Sequence, residues 1–217
     1  MDIESQEPIP DPWYKGPLII ILAVFLILIL VLWIPSHYFI VNPRPKQIPS
    51  IKEVLPSDFD FKSNGTVALK SQQDFLHFIN PEDPIIRPAA AQIVSQCDGN
   101  NVCSVEALYL FVRNNINYVS DPVDFEYVED PKEVLKVKGA DCESGTLLLA
   151  DMVESVGIDA QLVFIPGHAF LRVYLPDASP LIKHDDWVYL DWTCSSCDFG
   201  DVPQTDLSSH KEYIDVS

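Results

Sequence analysis

The chain has 217 residues and carries 32 Asp and Glu against 14 Lys and Arg, a net charge of −18. That length admits one modest globular domain plus an appendage. A surface this acidic repels phosphate backbones, which excludes nucleic acid as a partner class; its simplest physical consequence is solubility.

In chain order, residues 1–16 form a polar, acidic tail. Leu18 to Ile34 is a run of 17 apolar residues bracketed by Pro17 and Pro35, with Trp13, Tyr14, Tyr38 and Phe39 outside it. At about 1.5 Å per residue the run falls slightly short of a hydrocarbon core of about 30 Å, and the aromatics extend it. The expectation is a single membrane-spanning helix over 17–34, with the lipid bilayer as a partner. A cleaved leader would need a basic start and a small-x-small cleavage site, and neither is present. Pro35 to Pro56 is proline-rich without periodicity, which predicts an extended stalk over 35–57.

Beyond residue 35 the balance is 13 − 28 = −15. Arg44, Lys46 and Lys52 after the span favour a cytoplasmic domain. The cysteines point outward: Cys97 with Cys103 and Cys194 with Cys197 are close pairs that leave Cys142 over, a pattern suited to disulfides in an oxidising compartment. An extracytoplasmic domain is the preferred reading. The same four cysteines also admit zinc, but no second Cys-x-x-Cys completes a site. Asp98-Gly-Asn-Asn resembles a calcium loop with too few ligands. No metal and no cofactor is expected.

The domain is predicted over 58–199, with a polar tail over 200–217 lacking regular structure. Short helices are predicted over 74–79 and 84–96, a longer one over 105–115 behind Ser104, and another opened by Pro131. Thr146 to Val156 reads as a helix closed by Gly157. Cys142, Thr146, Leu149, Val153 and Val156 fall on one of its faces. Ala160–Ile165, His168–Leu175 and Trp187–Trp192 read as three strands with no helix between them, hence an antiparallel meander and an α+β fold.

Chemistry concentrates at Cys142, His168 and Asp191. A thiol at a helix N-terminus meets unpaired N–H groups and the positive end of the dipole, which favours thiolate. If His168 and Asp191 face each other directly across two strands, the same register sets Tyr174 opposite Asp185 and puts His168, Phe170, Arg172 and Tyr174 on one face, where the cysteine helix would pack. The order nucleophile, base, orienter then suits attack on an amide or ester carbonyl through a thioester, with the Cys142 N–H as one oxyanion donor. Arg172, Trp187 and Tyr189 either line that cleft or pack in the sheet.

Gly139-Ala-Asp-Cys-Glu-Ser-Gly-Thr-Leu-Leu-Leu-Ala150, Val156-Gly-Ile-Asp-Ala160, Gly167-His-Ala-Phe170 and Trp187-Val-Tyr-Leu-Asp-Trp-Thr193 together resemble the microbial transglutaminase-like family. Tyr109 to Tyr118 resembles its helix before the active-site cysteine. The resemblance covers about 102–193 and implies a papain-like core whose cysteine helix packs on an antiparallel sheet, with Cys142, His168 and Asp191 as the triad. It implies a cysteine peptidase, amidase or transamidase acting on a peptide or protein, which the apolar run 17–34 would anchor in a membrane. The second reading is a catalytically inactive, membrane-tethered binding or assembly module. Ser144-Gly145 departs from the acidic or aromatic residue followed by alanine in many members.

Overall fold

The computed structural model describes residues 16–38, 44–62, 71–121 and 127–216. Nearly all of the predicted tail 1–16, and 39–43 of the predicted stalk, lie outside them. The chain divides into two compact units, Met1–Val41 and Asn42–Ser217.

Among its described residues the first unit holds the helix α1 (Pro17–Tyr38), whose described side chains from Leu18 to Trp33 are apolar and exposed. Among the described residues no helix is long and apolar enough to cross a membrane. The apolar side chains described up to Trp33 rise roughly 25 Å at about 1.5 Å per residue, against about 30 Å of hydrocarbon. The expectation of a spanning helix is therefore not met, although the segment is helical.

The second unit begins earlier than predicted. Gln96 accepts the backbone N–H groups of Lys46 (2.8 Å) and Gln47 (3.0 Å), and Asn115 bonds Pro49 and Ile51. A short helix α2 (Ile51–Val54), capped by Ser50 and Glu53, buries Ile51 and Val54. Residues 46–56 are thus a docked part of the domain, not a free stalk. Apolar Ile51 and Val54, spaced by three, were the available signal.

A 3₁₀ segment Gln72–Phe78 leads to α3 (Ile86–Val94), whose first N–H groups are taken by buried Asp83. Next comes α4 (Asn101–Asn115), one turn earlier than predicted because Asn100, not Ser104, accepts the Cys103 N–H at 2.9 Å. The Asp98-Gly99 stretch makes the left-handed turn inside the bonded Cys97–Cys103 pair. Two short strands, β1 (Asn117–Tyr118) and β2 (Gly139–Ala140), pair in parallel around α5 (Pro131–Val137), which Asp130 caps.

Helix α6 (Cys142–Ser155) is the centre of the unit and packs on α3, α4 and α5. Residues 144–153 are all buried, so it is enclosed on every side, where one apolar face was predicted. The sheet follows: β3 (Ala160–Ile165), β4 (His168–Tyr174), β5 (Lys183–His184), β6 (Trp187–Leu190) and, after α7 (Gln204–Ser208), β7 (Glu212–Asp215), in spatial order β5-β6-β4-β3-β7, all antiparallel. The tail predicted to be irregular thus supplies an edge strand. Ile214 buries against the core while its neighbours stay exposed, an alternation too short to carry a strand prediction alone.

The register also differs. Tyr174 faces Trp187, not Asp185, and Leu171 faces Leu190. Asp185 and Asp186, both at positive φ (51° and 66°), form the two-residue loop of the β5–β6 hairpin, so Lys183 and His184, expected within a loop, pair with β6. A shift of two residues preserves the face. His168 and Asp191 are therefore still on one side, as diagonal neighbours. The cysteine helix packs on the other side, against Ala169, Leu171 and Val173.

One close approach locks α6 to the sheet: a methyl group on Gly145 would overlap the indole of Trp192, itself 4% exposed. Gly145→Ala is expected to lower unfolding stability by about 1–3 kcal/mol in a denaturant titration, the ordinary cost of overpacking a closed core.

Candidate active site

The α6 N-terminus positions Cys142. Asp141 caps the helix through the Ser144 N–H (2.8 Å), and burial pushes its carboxyl up to about 7 against that bond. The Trp192 indole N–H donates to the Cys142 carbonyl at 3.4 Å. Cys142 is the free cysteine and is buried. Burial first, then a hydrogen bond from the thiol to Glu143 Oε2 (2.8 Å) and the charges of Glu143 and Asp141, push it up to about 12, against a bond from the Ala169 backbone. The expected thiolate is thus a thiol at neutral pH: desolvation and two adjacent carboxylates outweigh the helix end.

His168 opens β4, and its Nε2 lies 3.0 Å from Asp191 Oδ2. Burial lowers the imidazole pKa, but the Asp191 hydrogen bond and the charges of Asp191, Asp206 and Glu143 raise it above its ordinary value. Burial raises Asp191, and its bonds to His168 and Thr193 hold it below the usual carboxylate range. The raised His168 stabilises the fold below about pH 6.5 and loses this contribution as pH rises through its folded value. The lowered Asp191 contributes above about pH 3.9 and loses it as pH falls through its folded value. Both contributions are complete only between about pH 4 and 6.5.

Asp191 is held from several directions. Its Oδ1 accepts the Thr193 N–H (3.0 Å) and hydroxyl (2.7 Å), and its backbone carbonyl accepts the buried Tyr109 hydroxyl (3.2 Å). Arg113, one turn along α4 from Tyr109, donates to the carbonyls of Cys197 and Ser195. The Cys194 and Cys197 sulfurs are bonded, so the loop after Asp191 is a closed ring fastened to α4. Sequence reasoning did not single out Tyr109, Arg113, Thr193 or Glu143. Thr193 follows an aspartate by two residues, a local side-chain to backbone pattern that could have marked it. The i,i+4 spacing of Tyr109 and Arg113 was visible, but their partners lie 82 or more residues away.

Arg172, Trp187 and Tyr189 do not face the thiol. Arg172 stacks over Trp187 (4.5 Å to the centroid) and Tyr213 (3.6 Å) on the outer sheet face, bonded to Gln161. His168, Asp191 and Asp206 bring one polar atom each within 4.8 Å of one another. Both Asp191 oxygens are engaged, one by His168 and one by Thr193.

Residues 87–192 match the family model described as the transglutaminase-like superfamily. This segment is a transglutaminase-like domain. It runs from α3 to the tryptophan under Cys142 and contains all three candidate residues. Similar solved structures include a protein provisionally assigned as a protease from Parabacteroides distasonis, with 16% identity and a TM-score of 0.42 over 54% of this chain and 24% of that one. LapG of Legionella pneumophila aligns with 17% identity and a TM-score of 0.34 over 67% of this chain and 74% of its own. Its EGTA-treated form aligns at 17% and 0.35, covering 67% and 72%. The chain spans about a quarter of the Parabacteroides protein's length. No curated protein matches the chain. The α7–β7 segment lies outside the family match.

Proposed function

We propose that the transglutaminase-like domain is a cysteine enzyme that cleaves or transfers amide bonds of a peptide or protein substrate. The observation that carries this reading is the 3.0 Å His168–Asp191 pair at the start of β4, the strand on which the Cys142-bearing helix packs. Asp191 orients the ring through Nε2, so Nδ1 is the nitrogen available to accept the thiol proton. The thiolate attacks the carbonyl carbon, the C–N bond breaks, the leaving amine takes the proton from His168, and a thioester remains on Cys142. Water as acceptor gives hydrolysis and an amine gives transamidation. The full-length chain, incubated with a peptide and amine library between pH 5 and 9, is expected to give new carboxylate or amide products by mass spectrometry. Absence of products throughout would favour the second reading, an inactive binding or assembly module, for which the neutral thiol beside Glu143 speaks.

We infer further that α1 seats in a bilayer and that the domain works in an extracytoplasmic, oxidising compartment. Exposed apolar side chains from Leu18 to Trp33 gain about 25 cal/mol for each Å² removed from water, and the bonded Cys97–Cys103 and Cys194–Cys197 pairs suit oxidising conditions. The full chain is expected in the membrane pellet after alkaline carbonate extraction, and a chain of residues 42–217 in the supernatant. Recovery of both in the supernatant would remove the anchor.

A further inference from the structure

The segment after the family match returns to the sheet. Strand β7 pairs with β3 so that Glu212 faces Phe164, one step from the Ile165–His168 pair that closes the β3–β4 hairpin. The chain entering β7 must therefore pass the end of the sheet where His168 lies. Leu207 of α7, together with Val202, packs on the outer-face cluster of Val163, Phe170 and Tyr189, beside Ile165. That packing fixes α7 over the His168 side of the sheet. Lys211 donates to the carbonyls of Leu207 and Ser209, and Ser208 and Ser209 bond Thr205, so the turn is held internally as well. The Asp206 carboxylate, bonded by the Thr205 hydroxyl at 3.0 Å, lies in the same 4.8 Å group as His168 and Asp191.

We propose that Asp206 is a positioning residue for His168: a second carboxylate, delivered by the C-terminal strap α7–β7, that holds the imidazole and sets the pH at which it becomes a free base. This rests on the triad reading only for its catalytic consequence. The charges acting on His168 are Asp191 just after β6, Asp206 from α7 and Glu143 from α6, whose carboxylate accepts from the Cys142 thiol; all three are acids and add negative charge. The Asp206 charge is a named contributor to the raised His168 value. A unit charge at about 5 Å in a solvent-rich setting moves a neighbour's titration by roughly half a unit to one unit.

The test is an NMR titration of the His168 ring in the full-length chain in detergent micelles, comparing wild type with Asp206→Asn, Asp206→Glu and, as a remote surface control, Asp177→Asn. The His168 midpoint is expected to fall by about half a pH unit or more in Asp206→Asn, to recover in Asp206→Glu and to stay put in Asp177→Asn. The difference should shrink in about 1 M salt. A midpoint unchanged in Asp206→Asn, or lowered equally in Asp206→Glu, would overturn the proposal. Should Asp206→Asn fail to fold, the wild-type midpoint and its salt response decide: a midpoint at or below about 6.5 that salt does not move is the overturning result. The titration needs no turnover, so a missing enzyme activity would contradict the triad reading while leaving the Asp206–His168 coupling measurable. Where turnover exists, the acid limb of kcat/KM is expected to follow the ring midpoint downward in Asp206→Asn.

Discussion

Replacing Cys142 by alanine is expected to lower kcat/KM for amide turnover by about 10³-fold or more, because the free thiol is the nucleophile that carries the acyl intermediate in the proposed mechanism. The change should leave the fold intact. Cys142 is 8% exposed at the first position of α6, and its capping is done by Asp141, which the substitution does not touch. Deleting one sulfur from this edge of the core costs at most about 1–2 kcal/mol. Circular dichroism melts of the two proteins should nearly coincide while their activities separate. Equal turnover by both proteins would move the chemistry to some other part of the chain.

The second large effect concerns Glu143. Its carboxylate accepts the thiol hydrogen at 2.8 Å and, with burial, keeps Cys142 protonated up to about 12. Glu143→Gln removes the charge and keeps the shape and an acceptor oxygen. Thiolate content rises tenfold for each unit that the thiol pKa falls, so alkylation of Cys142 by iodoacetamide at pH 7.5 is expected to speed by about tenfold or more. An unchanged rate would mean that burial alone holds the thiol neutral. The same arithmetic defines what a substrate must do in wild type: draw Glu143 away from the sulfur, or supply hydrogen bonds that replace it, before His168 can take the proton.

The sequence made the α+β class, the three principal strands and the chain order of Cys142, His168 and Asp191 readable because each rests on local signals. β-Branched strand runs, a proline-opened helix and the Val156-Gly157 ending are decided within a few residues. What failed was decided at a distance. The register came out two residues away, and the stretch read as one long loop holds β5 and a tight Asp185-Asp186 turn whose positive φ values are uncommon. The side on which α6 packs was wrong because the two faces of β4 are nearly equally apolar: Phe170 is as buried as Leu171, one under α7 and the other under α6. The second error traces to the strap that covers the outer face, which comes from a segment whose composition is polar.

Protonation was the least readable property. A cysteine opening a helix suggests a thiolate from first principles, and the adjacent Glu143 was visible as a letter without its conformation. The structure places that carboxylate on the sulfur and not out in solvent, which reverses the sign of the expected shift. The orientation of Asp191 depends likewise on Tyr109, 82 residues away, and on Arg113, which fastens the loop after Asp191 to α4.

The central claim is that Cys142 carries an acyl group. Intact-mass analysis of the full-length chain, quenched in acid during reaction with an excess of a substrate peptide or an activated acyl ester, tests this most directly. The account predicts a single added acyl mass that maps to Cys142, disappears on treatment with neutral hydroxylamine and is absent from Cys142→Ala. An adduct elsewhere, or turnover proceeding with no hydroxylamine-sensitive species on Cys142, would contradict it.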